Sequence, residues 1–290
     1  MEISTKLTTQ PDDCCSGDDC CSSDLASPIA VKEFASDVSA VVASYDGSAD
    51  IWPGFFGLLS RFWPDLPYPL YLVSNHLTFP DQRVTALRVG DDLSWSETLA
   101  RGLERVASRY VLLILDDFFL TASVDTALVS RMHAAMGAKG AAYLRLVPNP
   151  AADTPCVDMP GIGTIDKGAP NRTSLQMAFW DRRVLLDLLR REESAWDFEI
   201  KGSRRSDALR EPFLGVCQGF SAVPYRHVLR RGKLLPDAVR FFAPLGVSFD
   251  FSKRRFESEL NLRWQASAVR RHLGRAWRIV TRRSPERILD

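Results

Sequence analysis

A chain of 290 residues with 46% apolar and 10% aromatic side chains can bury a sizeable core, which excludes an intrinsically disordered protein. Its 37 basic and 36 acidic side chains leave a formal charge of +1, so no global field collects nucleic acid and no such partner is expected. No run of 18 apolar residues and no signal-like N-terminus occur, so the expectation is a cytoplasmic protein without a transmembrane helix.

In chain order, residues 1–36 form a leader rich in Cys, Ser and Asp. Its "CCSGDDCC" holds Cys14, Cys15, Cys20 and Cys21 as vicinal pairs, which do not match the C-x-x-C spacing of zinc sites. The leader reads as a disordered tail, with thiolate metal or redox chemistry as the alternative. An ordered domain is expected over 37–256. There "VSAVVASYDG" predicts a buried strand ending at Ser44, "DIWPGFFGLLSRFW" a helix with Pro53 in its first turn, and "PLYLVSN" a second strand. "RVTALRV" is a third strand, and "SWSETLARGLERVAS" is a helix with a Ser-x-x-Glu start. The apolar run 111–115 predicts a strand buried on both faces of a mostly parallel sheet.

Beyond it come a helix at about 125–138, a strand "AAYLRLV", and a Pro/Gly-rich stretch from 148 to 170. "SLQMAFWDRRVLLDLLRREES" predicts a strand leading into a helix. Residues 257–290 carry an arginine-rich amphipathic helix with Val269, Leu273, Ala276 and Val280 on one stripe. That helix either lies on an anionic membrane, making the protein peripheral at the inner face, or packs on the body or a second subunit. There is no G-x-G-x-x-G, Walker, H-E-x-x-H or G-x-S-x-G sequence, which argues against dehydrogenases, P-loop enzymes, zinc hydrolases and α/β-hydrolases.

Ligands of open α/β sheets bind beyond the carboxyl ends of the strands. The residues leaving those ends are Ser44, Tyr45 and Asp46, then Asn75 and His76, then Asp116 and Asp117. Two adjacent carboxylates suit a divalent cation or a basic ligand, though a helix cap or an arginine pair would also explain them. Both reach one ion only if the chain turns there, because neighbouring strand residues face opposite ways.

An apolar strand ending in an acidic doublet, downstream of a β-α-β unit, resembles the GT-A class of nucleotide-sugar-dependent glycosyltransferases. The W-x-x-x-L at 95–99, "YVLLILDDFFL", "YLRLVPNP", "SLQMAFWDR" and "EESAWDFEIKGSRRS" together resemble its bacterial polysaccharide-type group, over residues 38–250. The resemblance implies a GT-A-like α/β fold, a Rossmann-like mixed sheet flanked by helices. It also implies a nucleotide diphosphate sugar donor, a glycan or lipid-linked acceptor, and inversion at the anomeric carbon. Asp117, with Asp116 beside it, would hold Mn2+ or Mg2+, although the doublet reads D-D-F rather than D-x-D. Ser44, Tyr45, Asp46 and Asn75 would line the donor, Asp46 accepting hydrogen bonds from ribose or base.

An inverting transferase also needs a carboxylate base. Glu199 and Asp197 are the favoured bases and Glu193 a further one, with Trp196 stacking on a sugar face. The alternative is an acidic helix start with Trp196 in the core. Arg204 and Arg205, with Lys201, would hold diphosphate oxygens, or else form an exposed basic loop. Two other functions stay open: a non-catalytic nucleotide-binding or scaffold protein, and a nucleotidyltransferase. "SYDGSAD", with one glycine and no lysine or arginine, counts against the latter.

Overall fold

Val38–Ala43 (β1) is buried at all six positions and carries no charge, so it belongs between two other strands. In the computed structural model, which describes residues 37–257, it pairs in parallel with β2 (Leu70–Ser74) on one side and β4 (Tyr110–Leu115) on the other. The cysteine tetrad and nearly all of the basic C-terminal segment lie outside the described residues. Parallel β3 (Val84–Arg88) flanks β2. On the far side of β4 the antiparallel β9 (Ala178–Asp181) is followed by β6 (Tyr143–Arg145), β10 (Phe213–Val216), β8 (Ile162–Thr164) and β7 (Thr154–Pro155). The fold is thus α/β, with a nine-stranded mixed sheet flanked by helices.

The period of two along the central strands divides the core into two layers. Val38, Ala40, Val42, Leu112 and Ile114 face helices α1 (Trp52–Phe62) and α3 (Thr126–Ala138). Val41, Ala43, Val111 and Leu113 face α2 (Trp95–Leu103) and α4 (Arg182–Leu188). Helix starts follow local chemistry. Ser94 accepts the Glu97 N–H, Asp125 that of Leu128, and Asp181 those of Arg183 and Val184, while Pro53 occupies the first turn of α1.

The second half of the domain builds a rim above the strand ends. A short ribbon pairs β5 (Phe118–Leu120) with β11 (Tyr225–His227), and a hairpin joins β12 (Leu229–Arg230) to β13 (Lys233–Leu234). Arg254, near the end of the described chain, fixes this rim to the loop after β1. Its guanidinium meets Asp50 at 2.6 and 2.8 Å and donates to the carbonyls of Gly47 and Gly232 at 3.0 and 3.2 Å. Both side chains of the ion pair are almost wholly buried.

Removing one partner strands the other's charge in the interior, a change that typically costs about 3–5 kcal/mol. Arg254→Met is therefore expected to destabilise the domain by about 3 kcal/mol in urea unfolding. The double variant Arg254→Met, Asp50→Asn should recover part of that loss. A single variant within experimental error of the parent would remove this clamp from the account.

Candidate active site

The chain turns at Asp116 and Asp117, between the end of β4 and the start of β5, so both carboxylates reach one cleft. Phe118 and Phe119 are buried directly after the turn and anchor it. The Asp116 carboxylate accepts from Ser44 Oγ at 2.5 Å, and Ser44 Oγ itself accepts from Trp52 Nε1 at 2.8 Å. Burial first, and the neighbouring Asp117 second, push the Asp116 carboxyl up to about 7. Asp117 lies 3.6 Å from His227 Nδ1, and its carbonyl accepts the Val228 N–H.

The cleft measures about 810 Å³. Glu199 lines it too, and its Oε1 accepts the Leu175 N–H at 2.7 Å and the Ser174 hydroxyl at 3.2 Å. The loop supplying those donors is itself braced. The Tyr143 hydroxyl donates to the Ser174 carbonyl at 2.8 Å, and the buried Arg172 donates to the Ile165 and Ser206 carbonyls. Glu199 lies in a π-helical turn, Phe198–Gly202, between α5 (Ala195–Asp197) and α6 (Ser203–Ser206). Such turns carry one residue more than an α-turn and recur at functional sites. Trp196 lines the cleft and is 59% exposed, so it is not a core residue.

Several expected site residues are engaged elsewhere. The Asp46 carboxylate is filled by the backbone N–H groups of Asn75, His76 and Leu77, at 2.9, 3.0 and 3.3 Å. Asn75 accepts from the Asp46 N–H at 3.0 Å and donates to the Gly90 carbonyl at 2.9 Å. These two residues staple the β1 and β2 ends together and do not line the cleft, whereas Tyr45 does. Ser44 reaches the site only through Asp116.

Asp197 is the N3 residue of a capping box with Ser194 and pairs with Lys201 at 2.9 Å. The Ser194 hydrogen bond, with Lys201 next, holds its carboxyl down at about 2, which makes it a poor proton acceptor near neutrality. Glu193 precedes the helix instead of sharing a face with Asp197. It is buried against Arg205 in a bidentate pair at 2.6 and 2.8 Å. Arg205 also donates to the Leu188 carbonyl, so the pair clamps packing beneath the site and neither member lines the cleft. Arg204 is exposed and also lies outside the cleft lining.

The basic side chains that do line the cleft come from a stretch that carries no recognisable motif. Arg226, His227, Arg230 and Arg231 enter from β11 and the hairpin beyond it, joined by Arg254. Their signal is the run "YRHVLRRG", four basic side chains in eight residues. Among the described residues no group of three or more His, Cys, Asp or Glu is arranged to hold a metal alone. Asp116 and Asp117 fit a divalent cation only as two protein ligands of a site completed by phosphate oxygens and water.

No family model matches the chain, and no curated protein sequence matches it. Among solved structures it is similar to S. aureus TarS 1–349 in complex with UDP-GlcNAc. The identity is 12% and the TM-score 0.45, over 68% of this chain and 60% of that one, so the chain spans less than two thirds of that neighbour. It is also similar to 2-C-methyl-D-erythritol 4-phosphate cytidylyltransferase from Thermus thermophilus, at 14% identity and TM-score 0.42, over 73% and 100%. The bifunctional IspDF from Campylobacter jejuni aligns at 15% identity and TM-score 0.37, over 66% and 52%.

The raised Asp116 carboxyl makes stability depend on pH. The folded state binds this proton more tightly than the unfolded chain, so the contribution is full below the ordinary value of 3.8 and is lost as pH rises through about 7. Across about pH 5 to 8 the Tm of the parent should fall relative to that of Asp116→Asn, which keeps the shape without the charge. Parallel Tm curves for the two proteins would show that Asp116 is ionised at little cost.

Proposed function

We propose that the protein is a glycosyltransferase that moves a sugar from a nucleotide diphosphate donor to a hydroxyl of a glycan or lipid-linked acceptor, with inversion. The observation that carries this reading is a single cleft in which Glu199, fixed by the Leu175 N–H and the Ser174 hydroxyl, is joined by an acidic pair on one strand end and a wall of arginines. Its volume of about 810 Å³ suits a nucleotide-sized ligand.

In the proposed reaction Glu199 receives the proton of the acceptor hydroxyl at Oε2, because Oε1 is held by its two donors. The acceptor oxygen bonds to the anomeric carbon, and the bond from that carbon to the donor's diphosphate oxygen breaks. The electron pair departs on the diphosphate, whose charge is met by the guanidinium groups of Arg226, Arg230 and Arg231. Mn2+ or Mg2+ held by Asp117 with Asp116 would supply Lewis-acid stabilisation of that same charge. Trp196, exposed at the cleft, offers an apolar face to a sugar ring. A nucleotidyltransferase would need cations in the loop after β1, and residues 44–51 contain none.

Thermal-shift measurements with UDP, GDP, CDP and dTDP, each with and without Mn2+, should single out one nucleotide. With the corresponding sugar nucleotide, Glu199→Gln should lower kcat by about 10²-fold or more while the nucleotide shift persists. Asp197→Asn should leave kcat within a few-fold of the parent. Unchanged turnover in a folded Glu199→Gln variant would remove the base, and no shift with any nucleotide would favour a scaffold role.

A further inference from the structure

A second cavity, of about 360 Å³, adjoins the main cleft and shares with it Asn149, Gln176, Tyr225, Arg226 and His227. Its other walls are Thr121, Ser221 and the apolar Val147, Val223 and Pro224. No carboxylate and no lysine lines it, and its two basic residues, Arg226 and His227, belong to the boundary with the main cleft. Those two apart, and counting the amides of Asn149 and Gln176 that the main cleft also shares, the lining is a set of amides and hydroxyls beside a small apolar patch, the chemistry that matches an uncharged polyol with its alternating hydroxyl and C–H faces.

The boundary is held in place. The Tyr225 hydroxyl accepts the Met177 N–H at 3.3 Å and donates to Gln176 Oε1 at 2.7 Å. With one lone pair of its oxygen engaged, the Gln176 amide keeps its two N–H donors and one acceptor position for a ligand in the two cavities it lines. Gln176 also directly follows Leu175, whose N–H fixes Glu199. One short backbone segment therefore holds both the proton acceptor and the wall of the smaller cavity.

We propose that this smaller cavity is the acceptor subsite and that it takes a neutral, hydroxyl-rich glycan unit, whose attacking hydroxyl passes Gln176 to reach Glu199. The inference rests on the glycosyltransferase reading for the identity of the reaction, and on the cavity itself for the class of ligand. The side chains that line this cavity alone, Thr121, Val147, Ser221, Val223 and Pro224, are uncharged, so a phosphate on the acceptor would meet basic groups only at Arg226 and His227, which the main cleft shares.

The test uses the full chain, with methyl glucoside, methyl galactoside and methyl N-acetylglucosaminide as neutral probes and glycerol 1-phosphate as the anionic one. Binding is read by saturation-transfer NMR, and nucleotide binding separately by thermal shift. Ser221 is exposed at the cavity wall, so Ser221→Trp should fill the space without unfolding the core. The expected result is a signal from at least one neutral glycoside that weakens about tenfold or more in Gln176→Ala and in Ser221→Trp, the nucleotide shift staying unchanged in Ser221→Trp, whose site lies outside the main cleft. Glycoside signals indifferent to both variants, or binding of glycerol 1-phosphate alone, would overturn the proposal. A nucleotide shift without any glycoside signal would sink the acceptor subsite and leave the transferase reading intact. Glycoside binding lost in both variants, with no nucleotide shift in the parent, would keep the glycan site and sink the transferase.

Discussion

The site depends on one interruption of backbone pairing, the turn that separates β4 from β5 at Asp116 and Asp117. Had the strand continued, its pleat would have sent the two carboxylates to opposite faces of the sheet. The turn instead delivers both to the cleft, and the buried Phe118 and Phe119 make it costly to undo. Burial first, and the like charge of Asp117 second, raise the proton affinity of Asp116, which Ser44 and Trp52 then hold in a relay of hydrogen bonds.

The walls of the cleft divide the labour by charge. Acidic groups come from the sheet and from the π-helical turn, both anchored in the domain core. Basic groups come from β11 and the adjoining hairpin, which touch the sheet domain through β5 and the Arg254 ion pair. Arg226 also leans on the Phe241 ring at 4.6 Å, so its position owes as much to stacking as to charge. The basic half is also packed on the core, through the buried Val228 and the Tyr225 ring stacked on Phe118, and the Tyr225 hydroxyl is bonded to Met177 and Gln176.

Much of the sheet is legible from residues alone. β1, β2 and β4 are short apolar runs, with helical periods between β1 and β2 and between β3 and β4, and the capping residues Ser94, Asp125 and Asp181 mark helix starts that local chemistry dictates. The acidic doublet is legible for the same reason, as a polar stop to an unbroken apolar run. The basic wall is not, because β11 pairs with β5 across about a hundred residues of chain and no periodicity announces that partnership. Composition misleads the choice of carboxylate. In "EESAWDFE" four acids look alike, but Glu192 is exposed outside the cleft lining, Glu193 is drawn into a buried arginine pair, Asp197 into a cap, and only Glu199 is turned to the cleft. Asp46 misleads likewise, since a carboxylate at a strand end serves backbone N–H groups as readily as a ligand.

The Arg254 clamp has a consequence for synthesis. The loop after β1 is made early, yet the guanidinium that ties Gly47 and Asp50 to the hairpin turn at Gly232 is added some two hundred residues later. A nascent chain can complete its parallel strands on the ribosome long before that residue emerges, but the loop after β1 gains this fastening only once Arg254 has been added.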